Sequence, residues 1–270
     1  MKRLVAAPLF ALGIAALAAA PADAHRAWML PSATVLSGED VWITVDAAVS
    51  NDLFYFNHHP LRLDGLTVTA PDGSYAEAEN ANVGKYRSTF DVHLKAPGTY
   101  RLAIVADSLF ARYKLNGEQK RWRGTTDTLP EIPADAEDVH IRHSQRRVET
   151  FATVGAPTDV GDPGTRQGLE LVPVTHPNDL FAGETAHFRL MLDGRPAPNV
   201  DVEIVRGGSR YRDDPGAIQA KTDAEGNLEI TWPEAEMYWL HASVEDAGST
   251  IEQADGRTAS YTATLEVLPQ

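Results

Sequence analysis

The chain has no cysteine among its 270 residues. That excludes disulfide staples and thiolate metal centres. Stability must come from apolar cores, and any metal must be held by histidine, carboxylate or the chain terminus. Basic residues are scarce: 24 Lys and Arg stand against 38 Asp and Glu, a formal net charge of −14. Without a dense basic cluster, the phosphate neutralisation that nucleic-acid binding requires is missing. Beyond the extreme N-terminus no apolar run approaches membrane-spanning length, so no transmembrane span is expected in the processed chain. No stretch there carries a convincing helical period either. Enzyme motifs are equally sparse. Gly207-Gly208-Ser209 lacks the strand, sharp turn and helix of a nucleophile motif. There is no phosphate-binding glycine loop, no His-Glu-x-x-His and no carboxylate pair that stands out. The chain is read as non-enzymatic.

What is present begins with residues 1–24, which read as a cleaved signal peptide. Lys2 and Arg3 form the positive region, Leu4 to Ala20 the apolar stretch, and Ala22-Asp23-Ala24 the small-x-small cleavage site. Export to the periplasm follows from this reading, and cleavage after Ala24 makes His25 the first residue. An N-terminal histidine offers its α-amine and Nδ1 to one ion in a single chelate ring. Nitrogen donors of this kind suit Cu²⁺, Ni²⁺ and Co²⁺.

The remainder reads as all-β. Alternating segments recur every ten residues or so between Gly, Pro, Asn and Asp, the spacing of β-sandwiches. Val41 to Val45, Leu66 to Thr69, and Phe90, Val92 and Leu94 (alternating with Asp91, His93 and Lys95) are strand candidates, with turns at Pro71-Asp72-Gly73 and Pro97-Gly98. From Asp107 to about Asp138 the pattern weakens, and a long loop excursion is expected. Residues 156–167, rich in Gly, Pro, Asp and Thr, read as a linker. Strands resume at Leu169, with turns at Asp193-Gly194 and at Thr222 to Gly226. The expected organisation is two sandwiches: an immunoglobulin-like one over 25–155 and a Greek-key one over 168–270.

Among nine histidines, the pair His58-His59 is the strongest metal signal after His25. Adjacent residues in a strand face opposite ways, so both could ligate one ion only from a turn or strand end, which Asn57 and Pro60 favour. His25 with His58 or His59 would form a nitrogen-rich tetragonal site. His25 Nδ1 is therefore expected within about 6 Å of an imidazole nitrogen of His58 or His59, because two metal–nitrogen bonds of ~2 Å cannot span much more. His93 reads as an ordinary exposed residue. His140 and His143 lie three apart on a strand, hence on opposite faces, with Arg142, Arg146 and Arg147 nearby to repel a cation. His176 precedes a turn-forming run and could orient a loop at the junction, and His187 and His241 read as structural. Trp42, Trp232 and Trp239 are expected in the core.

Several stretches carry a family resemblance: His25 to Ser32, Gly168 to Leu180, Asp193-Gly194-Arg195-Pro196, and Thr222 to Gly226. Across essentially the whole processed chain the sequence resembles domain-of-unknown-function family 4198, secreted bacterial proteins associated with periplasmic components of cobalt/nickel uptake. The resemblance implies a transthyretin-like or carboxypeptidase-regulatory-like second half. It also implies metal binding through N-terminal residues, with a membrane transporter as partner. The matching position here is His25. Arg26 and Ala27 follow it with no second His close in sequence, so the chelate would be completed from His58 or His59. The resulting expectation is a periplasmic protein that binds Ni, Co or Cu, or a chelate of one, for an uptake system. Two other readings stand beside it. One is a copper-dependent oxidative enzyme built on an N-terminal His brace, with Tyr55 or Phe56 as aromatic neighbour. The other is a carbohydrate- or protein-binding module, which an exposed row of Trp would favour.

Overall fold

A computed structural model describes residues 25–161 and 163–270. The signal peptide read over 1–24 lies outside the described residues. These form nineteen strands and two short 3₁₀ turns. In the first half the strands are β1 (Arg26–Pro31), β2 (Val35–Leu36), β3 (Val41–Ser50), β4 (His59–Pro60), β5 (Leu66–Thr69) and β6 (Tyr75–Ala76). They continue with β7 (Ala78–Val83), β8 (Ser88–Leu94), β9 (Gly98–Leu115), β10 (Glu118–Gly124) and β11 (Glu137–Val154). The second half holds β12 (Leu169–Pro173), β13 (Thr185–Leu192), β14 (Arg195–Pro196), β15 (Asp201–Arg206) and β16 (Ile218–Lys221). It ends with β17 (Asn227–Thr231), β18 (Glu236–Asp246) and β19 (Gly256–Val267).

The chain is an all-β sandwich protein whose largest sheet is common to both halves. Ten strands run in the order β16-β15-β18-β19-β11-β9-β5-β6, with β10 added on β9 and β2 on β11. The halves join where β11 pairs in parallel with β19, Arg142 opposite Gly256 through Thr150 opposite Thr264. Over this common sheet lie two smaller ones: β1-β3-β8-β7 with β4, and β12-β13-β14 with β17. Each encloses its own core. Val148, Ala152 and Val154 of β11 pack with Met29, Val45 and Phe90. Phe151, from the opposite face of β11, packs with Leu171, Phe188 and Leu240. The period-2 alternation of one strand therefore feeds two cores, and β11 is buried on both faces from Arg147 to Val154.

Local sequence explains most elements. In β8, Ser88, Phe90, Val92 and Leu94 are buried while Thr89, Asp91 and His93 between them are not. At the β13–β14 connection, Asp193 (φ 52°) and Gly194 (φ 74°) are both left-handed. That is the two-residue hairpin turn that an Asp-Gly pair favours. Two expectations are corrected. The Asp107–Asp138 stretch is not a loop excursion but chiefly a hairpin of β9 and β10, Leu115 pairing with Glu118 and Leu109 with Gly124, followed by a 3₁₀ turn at Thr126–Glu131. Leu109, Ala111 and Tyr113 alternate inward into a small cluster with Ile141, while the charged residues of β10 stay exposed and obscure the pattern. Trp42 is not in the core: it is 42% exposed and stacks on His93, ring centroids 4.3 Å apart. Because Ile43 faces inward, its neighbour in the strand must face out. Trp232 and Trp239 are buried as expected.

Candidate metal site at the start of the first strand

His25 directly precedes β1, whose Arg26 pairs with Ser50 at the end of β3. On the other edge of β3, His59 and Pro60 pair with Val49 and Ala48. One strand end thus carries the start of the described chain on one side and the His58-His59 segment on the other. The intervening loop is tied by its own polar groups. Asn57 Oδ1 accepts from Asn51 N–H (3.0 Å), and its Nδ2 donates to Asp52 Oδ2 (2.8 Å). Phe54 holds a left-handed φ of 59°, uncommon for a bulky residue. Packing secures it: Phe54 meets Trp28 edge-on with centroids 5.5 Å apart, and Phe56 lies 5.6 Å from the same ring.

Trp28 is fully buried and donates to Ser50 Oγ (2.7 Å), which donates onward to Asp52 O (2.6 Å). The same cluster includes Val205 and Trp239 from the second half. Trp239 Nε1 donates to Ala27 O (2.9 Å), and Arg26 reaches Glu203 (3.3 Å). The residue after His25 and the one beyond it are therefore anchored by β15 and β18.

On this platform the three predicted ligands come together. The imidazoles of His25 and His58 stack at 3.7 Å between centroids, 7° from parallel. His59 lies 4.6 Å from His58, tilted by 48°. With ring nitrogens about 1 Å from each centroid, His25 Nδ1 and a His58 nitrogen fall within the expected 6 Å. His59 Nδ1 lies 2.8 Å from Pro60 O. A carbonyl only accepts, so Nδ1 is the donor in this contact, and Nε2 is the nitrogen left facing outward for a ligand. The His58 pKa is lowered, first by desolvation and then by the charges of His25 and His59. Its neutral, metal-competent form is favoured.

Imidazole lone pairs lie in the ring plane, so parallel stacked rings do not converge on one ion. Among the described residues no group of three or more His, Asp or Glu side chains already surrounds a common point. Two imidazoles would reach a shared ion only after one exposed ring rotates, and an α-amine at His25 would be a third nitrogen if the chain began there. This donor set fits Cu²⁺, Ni²⁺ or Co²⁺.

The other histidines are held elsewhere. His93 contacts Asp40 (2.9 Å), His140 Asp255 (3.3 Å) and His187 Glu229 (3.5 Å). His176 Nε2 lies 3.0 Å from Thr99 Oγ1 and 3.1 Å from Thr158 O, and its Nδ1 accepts from Asn178 N–H (3.1 Å). It fastens the connecting segment to β9. His143 is buried between Asp107 (2.7 Å) and Ser249 (3.2 Å). Sequence reasoning missed this grouping because its members lie 36 and 106 residues apart. The Trp28 platform was missed as well; the aromatic pair Phe54 and Phe56 just before the histidines was its available signal.

The profile of a domain of unknown function, DUF4198, matches residues 22–246. The chain belongs to the DUF4198 family. No curated protein matches it. Among solved structures, the ligand-binding domain of human OSCAR is 12% identical, with 90% of this chain and 99% of that one covered at a TM-score of 0.22. The D00-D0 domain of intimin is 10% identical, with 90% and 100% covered at 0.20. Escherichia coli α-2-macroglobulin is 11% identical, with 89% and 31% covered at 0.21. Scores this low carry no argument about this DUF4198 chain. No helix among its described residues is long and apolar enough to cross a membrane.

Proposed function

We propose that this DUF4198 protein is a periplasmic, non-enzymatic binder of a transition-metal ion, Ni²⁺, Co²⁺ or Cu²⁺, free or as a chelate, that hands its cargo to an uptake transporter. The observation that carries the reading is the juxtaposition of His25 with His58, His59 alongside, on a platform built by both halves. The site is completed by export: cleavage after Ala24 converts the His25 amide into an amine that closes a chelate ring with Nδ1. The precursor in the cytoplasm would lack that ligand, so strong binding is confined to the processed protein.

The contacts support capture over oxidative chemistry. Tyr55 is covered by Arg210, 3.8 Å from its ring, and Phe56 is held between Trp28 and Arg87. Both aromatic candidates for a neighbour to copper are thus committed elsewhere. A glycan-binding row of Trp finds no support, since Trp28, Trp232 and Trp239 are buried. The test is titration calorimetry with Ni²⁺, Co²⁺ and Cu²⁺ on protein beginning at His25 and on protein with one extra residue before it. Micromolar or tighter binding to the first form and at least tenfold weaker binding to the second is expected. Equal affinity would refute the terminal chelate.

A further inference from the structure

Strand β9 is paired along one edge by β11, but its other edge is divided. There β5 covers Arg101 to Ile104 and β10 covers Leu109 to Leu115. Between them residues 105–108 have no neighbouring strand. Val105 N–H donates to Gly65 O (3.2 Å) at one side of the gap. Strand alternation turns the Asp107 N–H toward the same open edge. Gly65 has a φ of 77°, and a Cβ there would meet Val105 O at 2.1 Å, so only glycine allows this close approach. A recess of about 380 Å³ opens at the gap, and Arg62, Arg123 and Arg146 all line it.

The charge in this recess is unbalanced. Arg62 is paired with Asp64 (2.7 Å). Asp107 is occupied by His143 (2.7 Å) and Gln145 (3.3 Å). Arg123 lies over the Phe110 ring at 5.1 Å; it feels the charge of Asp64, which is already bonded to Arg62, and among the described residues no carboxylate forms a salt bridge with it. Arg146 is mostly buried, its Nε has no hydrogen-bond partner, and no ion pair compensates it among the described residues. The buried arginines Arg147 and Arg257 differ: Arg147 has Glu149 and Glu170, and Arg257 has Asp193 and Asp246. Burial and the charge of Arg123 both push the Arg146 pKa down. A half-buried guanidinium whose Nε lacks a partner is costly, and guanidinium groups present forks of donors that match oxyanions.

We infer that the gap between β5 and β10 is a binding site for a small soluble oxyanion, a phosphate, sulfate or carboxylate group, held by Arg146 and Arg123 with the free edge of β9 beside them. None of the residues that line the recess is one of the three clustered histidines, and the site does not depend on metal binding. It is tested by titrating the full processed chain, in metal-free buffer of fixed ionic strength, with inorganic phosphate, sulfate and citrate. At least one should bind below millimolar concentration and raise the Tm. Arg146→Gln and Arg123→Gln should each weaken binding tenfold or more, and Arg189→Gln, an exposed change on β13, should leave it unaltered. Arg123 is exposed, so its variant reads the site even if Arg146→Gln fails to fold. Which probe binds separates phosphate, sulfate and carboxylate recognition. The inference is overturned if none of the three binds, or if Arg189→Gln weakens binding as much as Arg123→Gln does.

Discussion

The imidazoles of His25 and His58 lie face to face, 3.7 Å apart and nearly parallel, although they come from opposite edges of the β3 end. Two neutral rings can stack this way, whereas two imidazolium ions would repel. Ni²⁺ affinity should therefore fall as pH drops below the ordinary histidine range, since protons compete for the same lone pairs. The lowered pKa of His58 extends its competence to a lower pH than an isolated His would allow. His58→Ala should weaken Ni²⁺ binding at least tenfold at pH 7.5, with the far-ultraviolet spectrum unchanged. Affinity unaltered by this change would remove His58 from the site.

His241 supplies a second, purely structural pH dependence. It is largely buried, stacks on Trp239 with centroids 5.1 Å apart, and desolvation pushes its pKa down to about 4. Above pH 6.5 the ring is neutral in both folded and unfolded chains. Between 6.5 and about 4 only the unfolded chain gains the proton, so stability falls with pH, by about 3 kcal/mol in total. His241→Gln should remove that part of the slope. Urea unfolding of both proteins at pH 7, 6, 5 and 4 measures the difference, and parallel curves would rule out His241 as the source.

Some of this was legible in the sequence. The alternation in β8 and the Asp193-Gly194 turn follow from local chemistry, and the closeness of His25 to His58 and His59 follows from placing both at one strand end. The β9–β10 hairpin reads as a loop because Glu118, Gln119, Arg121 and Arg123 on its second arm all face solvent, although the alternation of Leu109, Ala111, Tyr113 and Leu115 on its first arm was an available signal. The parallel pairing of β11 with β19 was not legible, since it joins residues more than a hundred positions apart. The anchoring of Ala27 by Trp239, 212 residues away, belongs to the same class. Long-range pairing is decided by which faces must be buried together, and that is a property of the assembled sheets.

Arg147, Glu149 and Glu170 form a buried ionic group between β11 and β12, with Arg147 donating to Glu149 (2.8 Å) and Glu170 (3.2 Å). Tyr261 donates to the other oxygen of Glu149 (2.8 Å). Arg147→Met would leave two buried carboxylates facing each other without a cation. A loss of about 3–5 kcal/mol is expected, the range for breaking a buried pair by removing one partner. By contrast, Lys120→Met removes an exposed pair with Glu118 and should leave the midpoint of urea unfolding unmoved. Equal effects of the two changes would show that the buried group is not a structural tie.

The last prediction separates the platform from general stability. Trp28 fills the space beneath the histidine loop, supports Phe54 in its left-handed conformation, and donates to Ser50. Trp28→Ala removes all three supports and should cost about 3–5 kcal/mol. Without the ring, Phe54 has no reason to keep a strained φ, and the Asn51–His59 segment should relax away from His25. Ni²⁺ affinity should then fall at least fivefold even where the variant is fully folded. Leu171→Ala, a cavity in the opposite core, should destabilise by about 2–5 kcal/mol while leaving Ni²⁺ affinity as it was. Calorimetry on both variants, at a temperature well below either unfolding midpoint, gives the comparison. If both lose affinity in proportion to stability, the platform has no specific role. If only Trp28→Ala does, the buried tryptophan sets the position of the metal-binding histidines.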